Sequence, residues 1–167
     1  MANVVYIFGY GSLIYADGIN GRGMTKTYSE QDLIVTRLKG YRREWNALDA
    51  DGWTYLGLVE DPESTANGVL FPLETDLTDI RNFDTSEAVH TLYELVDVVD
   101  LVEYFPGSIV LTDVIKHPKY GGRIDPDYQA MISAGLAIRG AAFKDEFLRT
   151  TFFDGRTSVI QEEDTVS

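Results

Sequence analysis

Val4-Val5-Tyr6-Ile7-Phe8-Gly9-Tyr10-Gly11-Ser12-Leu13 is the stretch on which the reading of this chain turns. Five apolar residues, β-branched or aromatic, read as a buried strand that Gly9 ends. Two glycines one residue apart follow, and neither projects a Cβ, so backbone amides there can approach a ligand closely. Successive amides in such a loop can form a nest for a carboxylate or a developing oxyanion. Local physics alone favours a plain strand-to-loop turn. Two sharper readings fail on spacing. The loop lacks the G-x-G-x-x-G dinucleotide fingerprint and no helical pattern follows it directly. A nucleophile elbow around Ser12 would need glycines where Tyr10 and Ile14 stand.

Working outward, Gly18, Gly21 and Gly23 mark a long loop, and residues 33–38 and 53–59 read as strands around a turn at 49–52. Residues 68–73 read as a third short strand, with Pro72 setting it at an edge or a strand end. Thr75 or Asp76 reads as the cap of a short helix with apolar Leu77, Ile80 and Phe83. Strands are expected again at 91–99 and 108–114. Asp125-Pro126 reads as N-cap and first helical residue of a helix running towards Gly140. Residues 143–151 continue helically, with Phe143 and Phe147 one turn apart. The expectation is an α+β fold: a small curled mixed β-sheet or barrel with a few flanking helices. It is read as a single domain over 1–153, with an acidic, flexible tail at 154–167.

Composition bounds the function. With 167 residues, 44 % hydrophobic and 12 % aromatic, the chain can bury a full core. It has no cysteine, which excludes disulfides, thiolate metal sites and a cysteine nucleophile. Fourteen basic against 27 acidic residues give a formal charge of −13, so the basic footprint of a nucleic-acid binder is absent. An anionic ligand would have to be held by local donors against the global field. No segment reads as a membrane span or a signal peptide, and the expected location is cytoplasmic. Oligomeric state is not readable.

Glu87 is the second feature with chemistry. If the helix begun near Asp76 persists, Glu87 lies four residues after Phe83 and seven after Ile80, on the apolar stripe. Desolvation there would raise its pKa towards neutrality, as a general acid/base requires. If the helix ends near Asp84-Thr85-Ser86, Glu87 is a solvated loop residue, and spacing does not choose between the two. His90 and His117 have no metal-ligand spacing and read as surface or hydrogen-bonded histidines. Arg123 reads as a solvated turn residue before it reads as a carboxylate binder. Tyr6, Phe8 and Tyr10 alternate as core first and pocket wall second. Tyr128, just inside a predicted helix start, can pack or point into a cleft.

Several of these segments stand in an order that resembles the gamma-glutamylcyclotransferase-like family. Tyr10-Gly11-Ser12-Leu13 after an apolar strand resembles the family's Y-G-S/T-L loop. Asn67-Gly68-Val69-Leu70-Phe71-Pro72-Leu73 resembles its glycine-plus-strand marker, and Phe83-Asp84-Thr85-Ser86-Glu87, followed by Tyr93, its L-D-x-x-E segment. Asp125-Pro126-Asp127-Tyr128 with Gly135 is similar to its late P-x-Y helix. Phe83 replaces the usual leucine, and Ala88 stands where many members carry glycine. The resemblance implies that Glu87 is the catalytic acid/base, that Tyr10, Gly11, Ser12 and Leu13 hold a gamma-glutamyl moiety, and that Tyr128 lines the same cavity. It implies a small-molecule gamma-glutamyl substrate and no metal or organic cofactor. The reaction implied is cyclisation of a gamma-glutamyl peptide, amine or glutathione to 5-oxoproline and free amine. A non-catalytic binding or regulatory domain on the same fold is the other reading. An amidase using Ser12 lacks a paired base in any recognisable motif.

Overall fold

A computed structural model describes residues 5–20, 26–73, 92–98, 101 and 109–153. Among these residues seven strands form one mixed sheet: β1 (Val5–Gly9), β2 (Ile34–Leu48), β3 (Trp53–Pro72), β4 (Tyr93–Asp97), β5 (Ile109–Ile115), β6 (Arg123–Ile124) and β7 (Thr151–Phe152). Among the described residues three α-helices accompany it: the single turn α1 (Ala16–Ile19), α2 (Pro126–Arg139) and α3 (Ala141–Arg149). The sheet order is β4-β5-β1-β3-β2-β7, with β6 paired to β3. The expected α+β mixed sheet is there, and among the described residues it stays open instead of closing into a barrel.

β1 lies inside the sheet, antiparallel to β3 and parallel to β5. A strand flanked on both sides and covered on both faces needs continuous apolar sequence, which Val5 to Phe8 supplies. Phe8 enters one core with Leu38, Trp45, Leu56 and Leu58. Ile7 points the other way, into a core with Ile19, Val69 and Phe71. Each such side chain contributes about 1.5–3 kcal/mol on burial.

β2 and β3 are longer than the sequence pattern suggests. The segments expected at 33–38, 53–59 and 68–73 belong to one hairpin of a 15-residue and a 20-residue strand. Its turn is the expected one at 49–52, where Asp49 Oδ1 accepts from the amides of Asp51 and Trp53, each at 2.9 Å. The ladder shifts register between Lys39 and Tyr41. There β3 spends extra residues around Pro62, which no ladder N–H has to leave unmade. Pro72 ends β3, as read.

The middle of β2 was hidden by its charges. Arg43 and Glu44 are both fully buried, on opposite faces of the strand. Glu44 accepts from Arg42 Nε at 2.7 Å, Tyr120 Oη at 2.6 Å and Asn46 Nδ2 at 3.1 Å. Arg43 donates to Thr151 Oγ1, the carbonyls of Tyr10, Asn67 and Phe147, Asn67 Oδ1 and Thr150 Oγ1, at 2.8–3.3 Å. Its guanidinium also stacks on the Phe147 ring, 3.7 Å from the centroid. Burial pushes this guanidinium down to about 9, so it is still protonated at neutral pH.

The helices follow their sequence signals. Asp125 caps α2 by accepting from the Asp127 amide at 2.9 Å, Pro126 is its first residue, and Gly140 ends it. α3 buries Phe143 and Phe147, whose rings stack at 6.3 Å. Arg37 of β2 grips Glu146 of α3 through two hydrogen bonds of 2.6 and 2.8 Å. The helix read from Asp76 and the tail 154–167 lie outside the described residues.

Two stability measurements test this frame. Arg43→Lys keeps the charge but not the planar fork, leaving several acceptors unmet, and is expected to destabilise by about 2–4 kcal/mol in urea unfolding. A change below about 0.5 kcal/mol would show that the network contributes nothing net. Separately, the hydrogen bond from Arg37, reinforced by its charge and against partial desolvation, holds the Glu146 carboxyl below the usual carboxylate range. Because the folded pKa is the lower one, the stability involved is present above about pH 4.3 and lost as pH falls through the folded value. The pair is partly exposed, so Arg37→Ala should remove less than about 1 kcal/mol of stability at pH 7 and flatten the acid limb of the urea midpoint.

Candidate active site

The loop after β1 turns back over the sheet at Tyr10 and is tied down from three directions. From below, Arg43 Nη1 donates to the Tyr10 carbonyl at 3.3 Å. From the side, the Tyr10 hydroxyl reaches across to donate to the Asp113 carbonyl of β5 at 2.9 Å. From above comes α2, whose Gly135 lies so close that a Cβ there would stand 2.6 Å from Ile14 Cγ1 and 2.9 Å from the Tyr15 ring. That explains in physical terms the glycine seven residues after Tyr128: it lets α2 press onto the loop.

Tyr128 stands on the first turn of α2 and packs edge-on to Trp45 and Tyr55, with ring centroids 6.0 and 4.9 Å away. Its hydroxyl oxygen accepts from the Leu56 amide at 3.3 Å and sits directly over Gly11. A Cβ at Gly11 would be 2.8 Å from that oxygen. The second glycine of the loop is thus a requirement of the phenol above it.

Tyr10, Gly11, Ser12, Leu13 and Tyr128 line one cavity together, with Phe8, Leu56, Tyr93 and Asp113 completing its described wall. The cavity holds about 20 Å³, room for a single water. A larger occupant has to displace the Tyr128 or Tyr93 ring or extend past the described residues. Glu87 lies outside the described residues, as does His90. Arg123 is exposed and stacks on Trp53, 4.4 Å from the ring centroid. His117 is exposed. Among the described residues no cluster of three His, Asp or Glu side chains stands ready to hold a metal ion. None of their helices is long and apolar enough to cross a membrane.

Two residues at this site were not found by reading the sequence. Asp113 is the charged member of an otherwise apolar and threonine-containing strand, and it is 5 % exposed. A lone carboxylate in such a strand is the signal that was there to be used. Arg43 sits in the run Arg42-Arg43-Glu44, which reads as a solvated strand edge until the fold wraps α3 over it.

A larger cavity of about 310 Å³ lies between β2 and α3. Size alone would favour it. Its charged groups are already matched, however: Arg37 with Glu146, and Arg139 with Glu30. The loop 10–13 lines the smaller one, and we take that as the candidate active site.

The fold that positions it is the gamma-glutamylcyclotransferase-like fold. The chain superposes on a structure described as gamma-glutamyl cyclotransferase with a TM-score of 0.65 at 16 % identity, covering 97 % of this chain and 96 % of that one. An uncharacterized protein from Homo sapiens matches with the same score, identity and coverage. YkqA from Bacillus subtilis matches with a TM-score of 0.57 at 22 % identity, over 81 % of this chain and 49 % of that one. No family model and no curated protein sequence matches the chain.

A double-mutant cycle checks the Gly11–Tyr128 contact. Gly11→Ala should push the phenol off the Leu56 amide, whereas in Tyr128→Phe the added methyl meets no oxygen. The two substitutions should therefore couple by about 0.5 kcal/mol or more, measured by urea unfolding of the four proteins. Additive effects would mean that the phenol does not rest on Gly11.

Proposed function

We propose that this protein is an intramolecular cyclotransferase that converts gamma-glutamyl amides or amines, whether gamma-glutamyl peptide, gamma-glutamyl amine or glutathione, into 5-oxoproline and the free amine, in the cytoplasm. The observation that carries the reading is the enclosure of the loop 10–13 beneath Tyr128 at the end of a buried strand. It is supported by the fold shared with a gamma-glutamyl cyclotransferase.

The chemistry asks little of the protein beyond shape. The substrate's α-amine attacks its own γ-carbonyl carbon, a C–N bond forms, and a five-membered ring closes. The tetrahedral intermediate then collapses, the original amide C–N bond breaks, and the amine leaves with a proton. Attack is already intramolecular, so the site has to hold the glutamyl chain in the folded conformer. In this reading the amides of the loop 10–13 face the oxyanion, Tyr128 and the apolar wall exclude water, and Glu87 carries the proton from the ammonium to the leaving nitrogen. One carboxylate in that role contributes on the order of 10²–10⁴ in rate.

The test is a panel of gamma-glutamyl compounds incubated with the purified protein, with the product identified by mass. Release of 5-oxoproline is expected. Release of glutamate would make the protein a hydrolase, and neither product across the panel would make it a binding domain. Glu87→Gln should then lower ring closure by at least ~10² with little change in melting temperature. Wild-type turnover in that variant would remove Glu87 from the mechanism.

A further inference from the structure

The cavity between β2 and α3, about 310 Å³, shares no described lining residue with the one at the loop 10–13. Its volume is that of a small-molecule pocket at the lower end of the range. Val35, Ala142 and Phe143 form its apolar wall. The polar groups beside them are unevenly satisfied. Asn67 is used up, since its side-chain oxygen accepts from Arg43 and its nitrogen donates to the Phe143 carbonyl. Both Glu146 oxygens accept from Arg37, at 2.6 and 2.8 Å. Arg139 is different.

Arg139 is the last residue of α2, and its side chain lines the cavity while only 9 % exposed. Glu30 matches its charge through Nη2, yet Nε is buried with no acceptor. A buried guanidinium N–H left without an acceptor costs free energy, and a group that brings one recovers it. The cavity's carboxylate and amide oxygens already serve protein donors, so the acceptor has to come from an occupant. Charge points the same way. The described wall carries two guanidiniums, Arg37 and Arg139, against the single carboxylate of Glu146. That is a local positive excess in a chain with a formal charge of −13. Glu30 lies off the described wall and is 37 % exposed, so solvent screens it.

We propose that this cavity is a second binding site, for a small carboxylate with an apolar body. The carboxylate accepts a charge-assisted hydrogen bond from Arg139 Nε. The apolar body lies against Val35, Ala142 and Phe143, and covers a valine that is otherwise half exposed. The site is independent of the gamma-glutamyl reading, which concerns the other cavity.

The experiment titrates benzoate, its neutral isostere benzamide and inorganic phosphate onto the full chain by ligand-detected NMR. Benzoate should bind with a Kd of about 1 mM or tighter, and at least about tenfold more tightly than either of the others. Arg139→Met removes the donors at similar length and should weaken benzoate at least about tenfold. Tyr128→Phe, at the other cavity, should leave it within about twofold. Should Arg139→Met fail to fold by its melting curve, Ala142→Phe keeps the arginine and fills the cavity, with the same loss expected. Absence of benzoate binding overturns the proposal, as does equal binding of benzamide or phosphate. Affinity that survives Arg139→Met or Ala142→Phe overturns it too. A loss in Tyr128→Phe instead puts benzoate beside the loop 10–13 and has the same consequence.

Discussion

A guanidinium with no contact to water holds the centre of this fold. Arg43 is completely buried, and a charge in that position is tolerated only if its donors are met. Its acceptors come from the loop after β1, from β3, from the end of α3 and from the two residues that follow it. These segments are far apart in sequence, so no local propensity brings them together. Any rearrangement that moves one of them leaves a buried donor or carbonyl unmet, at about 1–3 kcal/mol each. The arginine thus specifies the arrangement more than it stabilises it. Asn67 extends the same network, accepting from Arg43 through its side-chain oxygen while its amide nitrogen donates to the Phe143 carbonyl at 3.1 Å.

The shape of the candidate site follows from that network. Tyr10 is held through both of its oxygens, the carbonyl by Arg43 and the hydroxyl by the backbone of β5. A loop pinned at its first residue and pressed by α2 at Ile14 has little freedom between, which is what a preorganised set of backbone donors requires. Tyr128 is fixed in turn by two aromatic edges and the Leu56 amide. Rigid groups on strands and a helix start therefore surround the cavity, and the part that is loop is braced by the rigid part.

What the sequence made legible was whatever obeys short-range rules. The apolar run before Gly9, the turn at 49–52 and the Asp125-Pro126 helix start each depend on a handful of adjacent residues, and each stands as read. The loop residues and Tyr128 line one cavity. The full length of the hairpin was not legible, because period and polarity both argue against burying Arg43 and Glu44. Their burial is decided by partners such as Thr151, 108 residues from Arg43, and Tyr120, 76 residues from Glu44, far outside any window centred on β2. Asp113 escaped for the same reason, since a strand with one carboxylate reads as half-solvated until its neighbours are known.

The protein's charge gives the site its logic. With a formal charge of −13, the global field repels an anion, and Arg43, which reaches the loop at the Tyr10 carbonyl, spends its donors on protein acceptors. In the reading proposed above, an anionic group is held by backbone amides of the loop, whose partial charges act over one hydrogen-bond length and are insensitive to the surface. A ligand bearing an ammonium is treated differently, since the global field favours it. A zwitterion, neutral overall, feels little of the long-range field and all of the local geometry. An acidic surface and a loop of backbone amides are in this way compatible with a site for the zwitterionic gamma-glutamyl group proposed above.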